Sequence, residues 1–197
     1  MRKITKTTIY WAIAVMTVST AFAQAGASTF QNPKIEELYT EDNRPELYCL
    51  AQNIYFEAKS EPLAGQYAVA DVVLNRVNDT RYPNSICEVV REGPIKESWK
   101  TKQDPNLSDD ERIYYPKKNR CQFSWYCDGK SDTVRDHDAW RMAQIIAYKI
   151  VHTDKMRGIT EGATHYHADY VEPAWAKTKT KTIEIEDHIF YRWEIQE

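Results

Sequence analysis

Apolar positions recur at helical spacing in several parts of the chain, and alternate with polar ones in others. Over residues 47–58, Leu47, Leu50, Ala51, Ile54 and Ala58 fall at i, i+3, i+4 and i+7 steps, which predicts a helix with one buried face. Pro62 ends it, because the residue ahead of a proline is pushed out of helical geometry. A second helix is predicted over residues 63–77, with Leu63, Tyr67, Ala70, Leu74 and Val77 on one face and Asn78-Asp79 followed by Tyr82-Pro83 as its stop. Ser85 or Asn84 can cap a short helix running through Val90. A further stripe of Trp140, Ala143, Ile146, Ala147, Ile150 and Val151 follows a cap at Asp136 or Asp138 and should pack on the first helix.

Residues 164–171 and 182–191 alternate and are rich in β-forming side chains, so the carboxy-terminal part should hold a small sheet or hairpin. Residues 121–128 alternate aromatic and polar side chains ahead of Asp128-Gly129, which predicts a short strand entering a turn. From Arg91 to Arg120 the chain is charged, carries Gly93, Pro94, Pro105 and Pro116, and keeps no period. Such a stretch reads either as the border of a substrate cleft or as a mobile surface excursion. The fold class that follows is α+β: a single, mostly helical domain with short strands packed to one side.

Length changes little in this picture, since 197 residues suit one full core. The net charge of −3 includes Arg2, Lys3 and Lys6, so the remainder is more acidic still and lacks the basic footprint of a nucleic-acid binder. Residues 1–23 read as a secretory signal, with a basic start, an apolar run and Ala21-Phe22-Ala23 ahead of Gln24. Residues 24–43 read as a loosely ordered arm and 44–197 as the domain. Export to the periplasm, the cell envelope or the outside is the expectation. Thr7, Thr8, Thr17, Ser19 and Thr20 leave the leader's apolar run shorter than the ~20 residues of a spanning helix, so no stable membrane insertion is expected after cleavage. A retained leader acting as a weak anchor is the alternative.

Four cysteines in an exported chain predict two disulfides, with three pairings open. The pairing expected joins Cys121 to Cys127 across a tight turn and Cys49 to Cys87, tying the first helix to the short helix after Pro83. No C-x-x-C or H-x-x-x-H spacing points to zinc.

The candidate chemistry centres on Glu57, which borders the apolar face of the first helix beside Leu50 and Asn53. Partial desolvation there disfavours the charged form and raises the pKa toward the range of a general acid, whereas a solvated glutamate would keep its ordinary value. Glu61 lies four residues on, where helical side chains converge to ~5–6 Å between Cβ atoms, but Pro62 interrupts the helix. A structural partnership for Glu61 is favoured over a second catalytic acid. Gln122, Ser124, Trp125 and Tyr126 supply the amide, hydroxyl and ring groups that hold an N-acetylated sugar, with ordinary packing as the alternative for Phe123 and Trp125. His165, Tyr166, His167, Tyr170 and Trp175 form a second polar and aromatic cluster. Strand alternation puts His165 and His167 on one side and Tyr166 on the other. No third ligand is fixed by spacing, so neither a metal nor a cofactor is expected. Tyr166 or His165 facing Glu57 would orient it or steady developing charge.

The blocks NIYFEAKSEP, GQYAVADVVLNRV, CQFSWYCDGKSD, GATHYHADYV and HIFYR, in that order, resemble the SleB-type, spore-cortex-lytic family of cell wall hydrolases over residues 47–192. Two departures are visible. The family usually reads E-A-R-G-E-P where this chain has Glu57-Ala58-Lys59-Ser60-Glu61-Pro62, and often has Gly near Glu186. The resemblance implies a fold related to the lysozyme-like lytic transglycosylases, peptidoglycan as substrate, and a single glutamate, here Glu57, acting first as acid and then as base. The activity expected is cleavage of the bond between N-acetylmuramic acid and N-acetylglucosamine by a monomer whose partner is the glycan strand. Competing readings are a metal-dependent N-acetylmuramoyl amidase or peptidase, and a wall-binding module without activity. A retaining glycosidase that uses the acetamido group or a distant acid such as Asp128 also stays open.

Overall fold

Proline at the first helical position needs no amide hydrogen, and Pro45 opens α1 (Pro45–Ala58) in that role. The computed structural model describes residues 39–194. The leader at 1–23 and most of the 24–43 arm therefore lie outside the described residues. Tyr39, assigned to that arm, is instead buried: its hydroxyl donates to the Gln144 carbonyl, and Gln144 Nε2 returns a bond of 3.2 Å to the Tyr39 carbonyl. The packed domain starts five residues earlier than Arg44, because a tyrosine with both a ring to bury and a partner for its hydroxyl is worth ordering.

Leu50, Ala51 and Ile54 are wholly buried on α1, as the stripe requires, and so is Asn53. Their main partner is α5 (His137–Thr153), whose Ala143, Ile146, Ala147 and Ile150 are buried. Each fully buried aliphatic side chain contributes roughly 1.5–3 kcal/mol, so this helix pair dominates the larger core. Asp136 caps α5 by accepting the Ala139 amide at 3.0 Å. Tyr55 reaches across from α1 to accept the amides of Arg135 and Asp136 at 3.2 and 3.0 Å, which fixes where α5 begins. Ser85 caps α3 (Ile86–Val90), and the Cys49–Cys87 disulfide ties that helix to α1 as expected.

The second helix, α2 (Leu63–Val77), has the expected bounds but not the expected face. Leu63 is 54% exposed and Leu74 and Val77 are half-buried, while Val69, Val72 and Val73 are wholly buried. The reason is that α2 is sandwiched. One side meets α1, and the other meets the carboxy-terminal sheet through a second core of Ala68, Val72, Ala163, Ile185 and Phe190.

That sheet contains β3 (His165–Ala168), β4 (Thr180–Ile185) and β5 (His188–Arg192), all antiparallel in the order β3-β5-β4. The chain enters β3 through a wound loop in which Asp154, Met156, Gly158, Glu161 and Gly162 all have positive φ. Backbone in that conformation exposes amides that need acceptors. Asp71, wholly buried on α2, supplies them: its carboxylate accepts the Gly158 amide at 3.0 Å, the Thr160 amide at 3.1 Å and the Thr160 hydroxyl at 2.6 Å, and pairs with Arg157. Asn75, one turn on, donates to the Ala163 carbonyl at 2.9 Å. Arg76 Nε donates to the Thr164 carbonyl at 2.8 Å.

Two expectations are corrected. Residues 121–128 form no strand; Ser124–Cys127 is a 3-10 turn inside the Cys121–Cys127 disulfide, a ring too tight for extended chain. The 91–120 excursion is built rather than featureless, with β1 (Ile95–Glu97) paired to β2 (Tyr114–Pro116) around the short helix α4 (Trp99–Lys102). The α+β, mostly helical class holds, with two small sheets instead of one.

Asp71→Ala should be among the most destabilising single changes, because it leaves Arg157 and the loop donors without their acceptor. The expected loss is about 3–5 kcal/mol, read from the urea midpoint; a loss below about 1 kcal/mol would show that the loop is held elsewhere.

Candidate active site

Glu57 sits in the last turn of α1, half-buried, where the helix passes β3. The Tyr166 hydroxyl donates to Glu57 Oε2 at 3.0 Å. Burial pushes the Glu57 carboxyl above its ordinary pKa, while the Tyr166 hydrogen bond and the positive charge of Arg76 each pull it part of the way back. Burial and the neighbouring carboxylate hold the Tyr166 hydroxyl well above its usual range, so it remains a donor. Arg76 is 4% exposed, with its guanidinium 5.4 Å from the Tyr82 ring and 5.1 Å from the Phe123 ring. A cleft of about 830 Å³ is lined by Thr80, Tyr82, Pro83, Glu88, Arg91 and Glu92. Tyr82 is thus shared between this cleft and the arginine whose charge bears on Glu57.

The other carboxylates have different surroundings. Glu61 Oε2 lies 3.9 Å from His188 Nδ1, and the His188 ring meets Tyr166 edge-on at 5.1 Å. Among the described residues Glu61 Oε2 is buried without a hydrogen-bond partner, and no hydrogen bond links Glu61 to Glu57. Asp128 accepts the Lys130 amide at 2.7 Å, and this bond holds its carboxyl below the usual range. It is the acceptor of a turn.

Of the residues singled out in the sequence, Tyr166 is the one hydrogen-bonded to Glu57 among the described residues. Trp125 is buried, stacked on Phe56 at 4.7 Å, and donates from Nε1 to Asn53 Oδ1 at 3.0 Å. It packs the core, and is not an open sugar platform. Gln122 and Ser124 are exposed on the disulfide-closed turn, with the Gln122 amide donating to the Glu92 carbonyl at 2.9 Å. His165 and His167 occupy the face of β3 opposite Tyr166, as alternation predicts, and cluster with Trp175 at 5.2 and 5.6 Å. Burial, aided by Arg76, Lys179 and Arg81, pushes His165 down to about 3, so its ring is neutral at neutral pH. His167 lies 2.9 Å from the Ala168 carbonyl and 3.0 Å from the Tyr191 hydroxyl, so both ring nitrogens are engaged. Tyr170 is 85% exposed in the turn after β3. Among the described residues no three His, Cys, Asp or Glu side chains converge as a metal set.

The residues that sequence reasoning passed over are Asp71, Asn75 and Arg76. Their signal was present: three polar side chains, two of them four residues apart, inside the apolar run Ala68 to Val77. A buried helix tolerates such residues only where each has a partner.

A mostly helical α+β domain that presents one partly desolvated carboxylate to a tyrosine hydroxyl is a frame suited to acid–base chemistry. The chain belongs to the Cell Wall Hydrolase family, whose model matches residues 60–191. The matched span starts at Ser60, just past Glu57. The chain is 47% identical over 47 residues to the spore cortex-lytic enzyme of Bacillus subtilis (strain 168), and 43% identical over 47 residues to that of Halalkalibacterium halodurans. Each alignment covers 24% of this chain and only 15% and 14% of those relatives. The catalytic domain of the Bacillus cereus SleB protein gives a TM-score of 0.47 at 22% identity, covering 78% of this chain and 92% of that one. The catalytic domain of the germination-specific lytic transglycosylase SleB from Bacillus anthracis gives 0.49 at 22% identity, covering 78% and 97%.

The raised pKa of Glu57 also bears on stability. Its folded value lies above its unfolded one, so the folded state binds the proton more tightly. The stability this confers is full below the unfolded pKa and is lost as pH rises through the folded one. Glu57→Gln should therefore melt at a higher temperature than the parent at pH 7, with the gap closing toward pH 4 in differential scanning calorimetry. A variant that melts lower at pH 7 would contradict the desolvated setting.

Proposed function

We propose that the chain is a peptidoglycan-degrading glycosidase of the lytic-transglycosylase type, exported to the cell envelope and acting there as a monomer on glycan strands. The observation that carries the reading is the Glu57–Tyr166 pair, a carboxyl raised by burial and held by one neutral donor. Membership of the Cell Wall Hydrolase family and the likeness to enzymes named spore cortex-lytic support the substrate class.

Cleavage of a glycosidic bond needs a proton on the leaving oxygen and stabilisation of an oxocarbenium-like centre. Protonated Glu57 gives that proton to the oxygen between N-acetylmuramic acid and N-acetylglucosamine. The resulting carboxylate gains the Tyr166 hydrogen bond and the Arg76 charge, which favour the ionised form and so assist the transfer. Asp128 accepts a turn amide, and Glu61 lies 3.9 Å from His188 Nδ1 and makes no hydrogen bond to Glu57 among the described residues, so this reading assigns neither as a base for water. The muramic acid's own 6-hydroxyl then attacks its anomeric carbon, and Glu57 takes the hydroxyl proton, closing a 1,6-anhydro ring and restoring the acid. The strand is assigned to the cleft along Tyr82 and Glu92, which reaches Glu57 only through Tyr82 and the Arg76 guanidinium and is not lined by Glu57 or Tyr166.

Glu57→Gln should lower turbidity clearance of purified peptidoglycan by at least ~10²–10⁴-fold. Near-normal clearance would remove Glu57 from the mechanism. Digestion in water enriched in oxygen-18 should yield unlabelled 1,6-anhydromuramic ends by mass spectrometry, whereas labelled reducing ends would mean hydrolysis. In Tyr166→Phe the carboxylate loses its donor, so the Glu57 pKa should rise further. The alkaline limb of the pH–rate profile should then move to higher pH while kcat falls. An unmoved limb would show that Tyr166 has no hold on the acid.

A further inference from the structure

Exposed large apolar side chains are not spread evenly over the domain. Of the eleven among the described residues, Ile95, Trp99, Ile113, Tyr114 and Tyr115 all lie on the β1–α4–β2 excursion. Three of them, Trp99, Ile113 and Tyr115, line one groove, and exposed apolar side chains gathered in this way mark a contact site. This one is held in shape. Arg112 bonds Glu97 at 2.7 Å and the Leu107 carbonyl at 3.0 Å, the Ser98 amide donates to the Ile113 carbonyl at 2.7 Å, and the Lys117 amide to the Pro94 carbonyl at 2.8 Å. Thr101, on α4, is buried and accepts the Ile113 amide at 3.4 Å.

Strand pairing places Lys96 opposite Tyr115, and Ile113 falls on the same side as Tyr115 by alternation. Together with Trp99, which is 66% exposed, they wall a groove of about 520 Å³. Lys96, Lys100 and Lys102 line it too, and none of the three enters an ion pair among the described residues. One acid, Glu97, lines the groove with them and is bonded to Arg112, and Glu111 is bonded to Ser108. A chain of net charge −3 thus gathers three ammonium groups against one carboxylate, Glu97, at a groove that also holds flat rings, with the Lys100 ammonium 6.0 Å from the Trp99 ring.

We propose that this groove is a second wall-binding site, which takes a peptidoglycan strand by stacking sugars on Trp99 and Tyr115 and pairing the carboxylates of its peptide stems with Lys96, Lys100 and Lys102. The inference rests on the reading that peptidoglycan is the substrate. Rings stack on the apolar faces of pyranoses, and ammonium groups pair with carboxylates at spacings that need no fixed fork geometry. A concave groove fits a strand, whereas a bilayer surface would meet a convex or flat patch.

The test uses the full chain and measures co-sedimentation with purified sacculi, whether or not cleavage follows. Trp99→Ala with Tyr115→Ala, and separately Lys96→Glu with Lys100→Glu, should each weaken sacculus binding by at least about tenfold. Both should leave the thermal midpoint and the turnover of a short soluble muropeptide unchanged, and Trp99→Phe should retain binding. The lysine variant's deficit should shrink on glycan stripped of its stems. Unchanged sacculus binding in either double variant overturns the proposal, as does loss of soluble turnover in step with binding. Parent protein that sediments with phosphatidylcholine–phosphatidylglycerol vesicles and not with sacculi would reassign the groove to lipid. Parent protein that binds sacculi through this groove yet releases no cleaved glycan would refute the enzymatic reading and leave the binding site standing.

Discussion

The carboxylate of Asp71 is the interaction on which the arrangement depends. It is wholly buried in the middle of α2, and it collects the amides of Gly158 and Thr160, the Thr160 hydroxyl and the Arg157 guanidinium. These are the donors of a loop wound through several left-handed residues, a path that leaves amides facing inward. With Asn75 and Arg76 gripping the next turn of the same loop, α2 determines where β3 starts. The position of Tyr166 against Glu57 follows from that. Three polar side chains on one helix therefore link the packing of two cores to the hydrogen bond between Tyr166 and Glu57.

Glu57 gains its character from opposed effects whose balance is set by geometry. Burial at the end of α1 favours the neutral acid, and the Tyr166 hydroxyl with the nearby Arg76 charge favours the anion. In the proposed mechanism such a balance helps, since a large bias either way would slow the giving or the taking of the proton. Tyr166 can serve because its ring belongs to both cores, packed against the α1 side and the sheet side at once. A side chain fixed on two sides loses little further freedom when it holds its hydroxyl toward a carboxylate.

The helices were legible because their signals are local. The stripe on α1, its stop at Pro62, the Asp136 cap of α5 and the pairing of the two helices all follow from spacing and turn chemistry. The buried face of α2 was misjudged, because period alone cannot reveal that a helix is covered on two sides, and the exposed Leu63 shows the cost of assuming one. Residues 121–128 alternate like a strand, yet the disulfide between Cys121 and Cys127 bends them into a 3-10 turn. In the site, Glu57 and Tyr166 could be named from the chain, while Trp125 turned inward to bond Asn53 and the histidines of β3 faced away. Asp71 was passed over because its partners lie more than eighty residues away, a distance no local pattern encodes. Glu186, where the resembling family often has glycine, adopts a φ of 51° in the turn between β4 and β5, so this chain accepts a strained position that glycine would relieve.

The central claim is that the fold holds Glu57 as a partly desolvated acid whose pKa is raised by burial and tempered by one tyrosine. Carbon-13 NMR titration of the Glu57 carboxyl in the intact protein measures this directly, with Glu57→Gln assigning the resonance. The account predicts a midpoint above the ordinary value of an exposed glutamate, and a further rise in Tyr166→Phe. A midpoint at or below that ordinary value would contradict it.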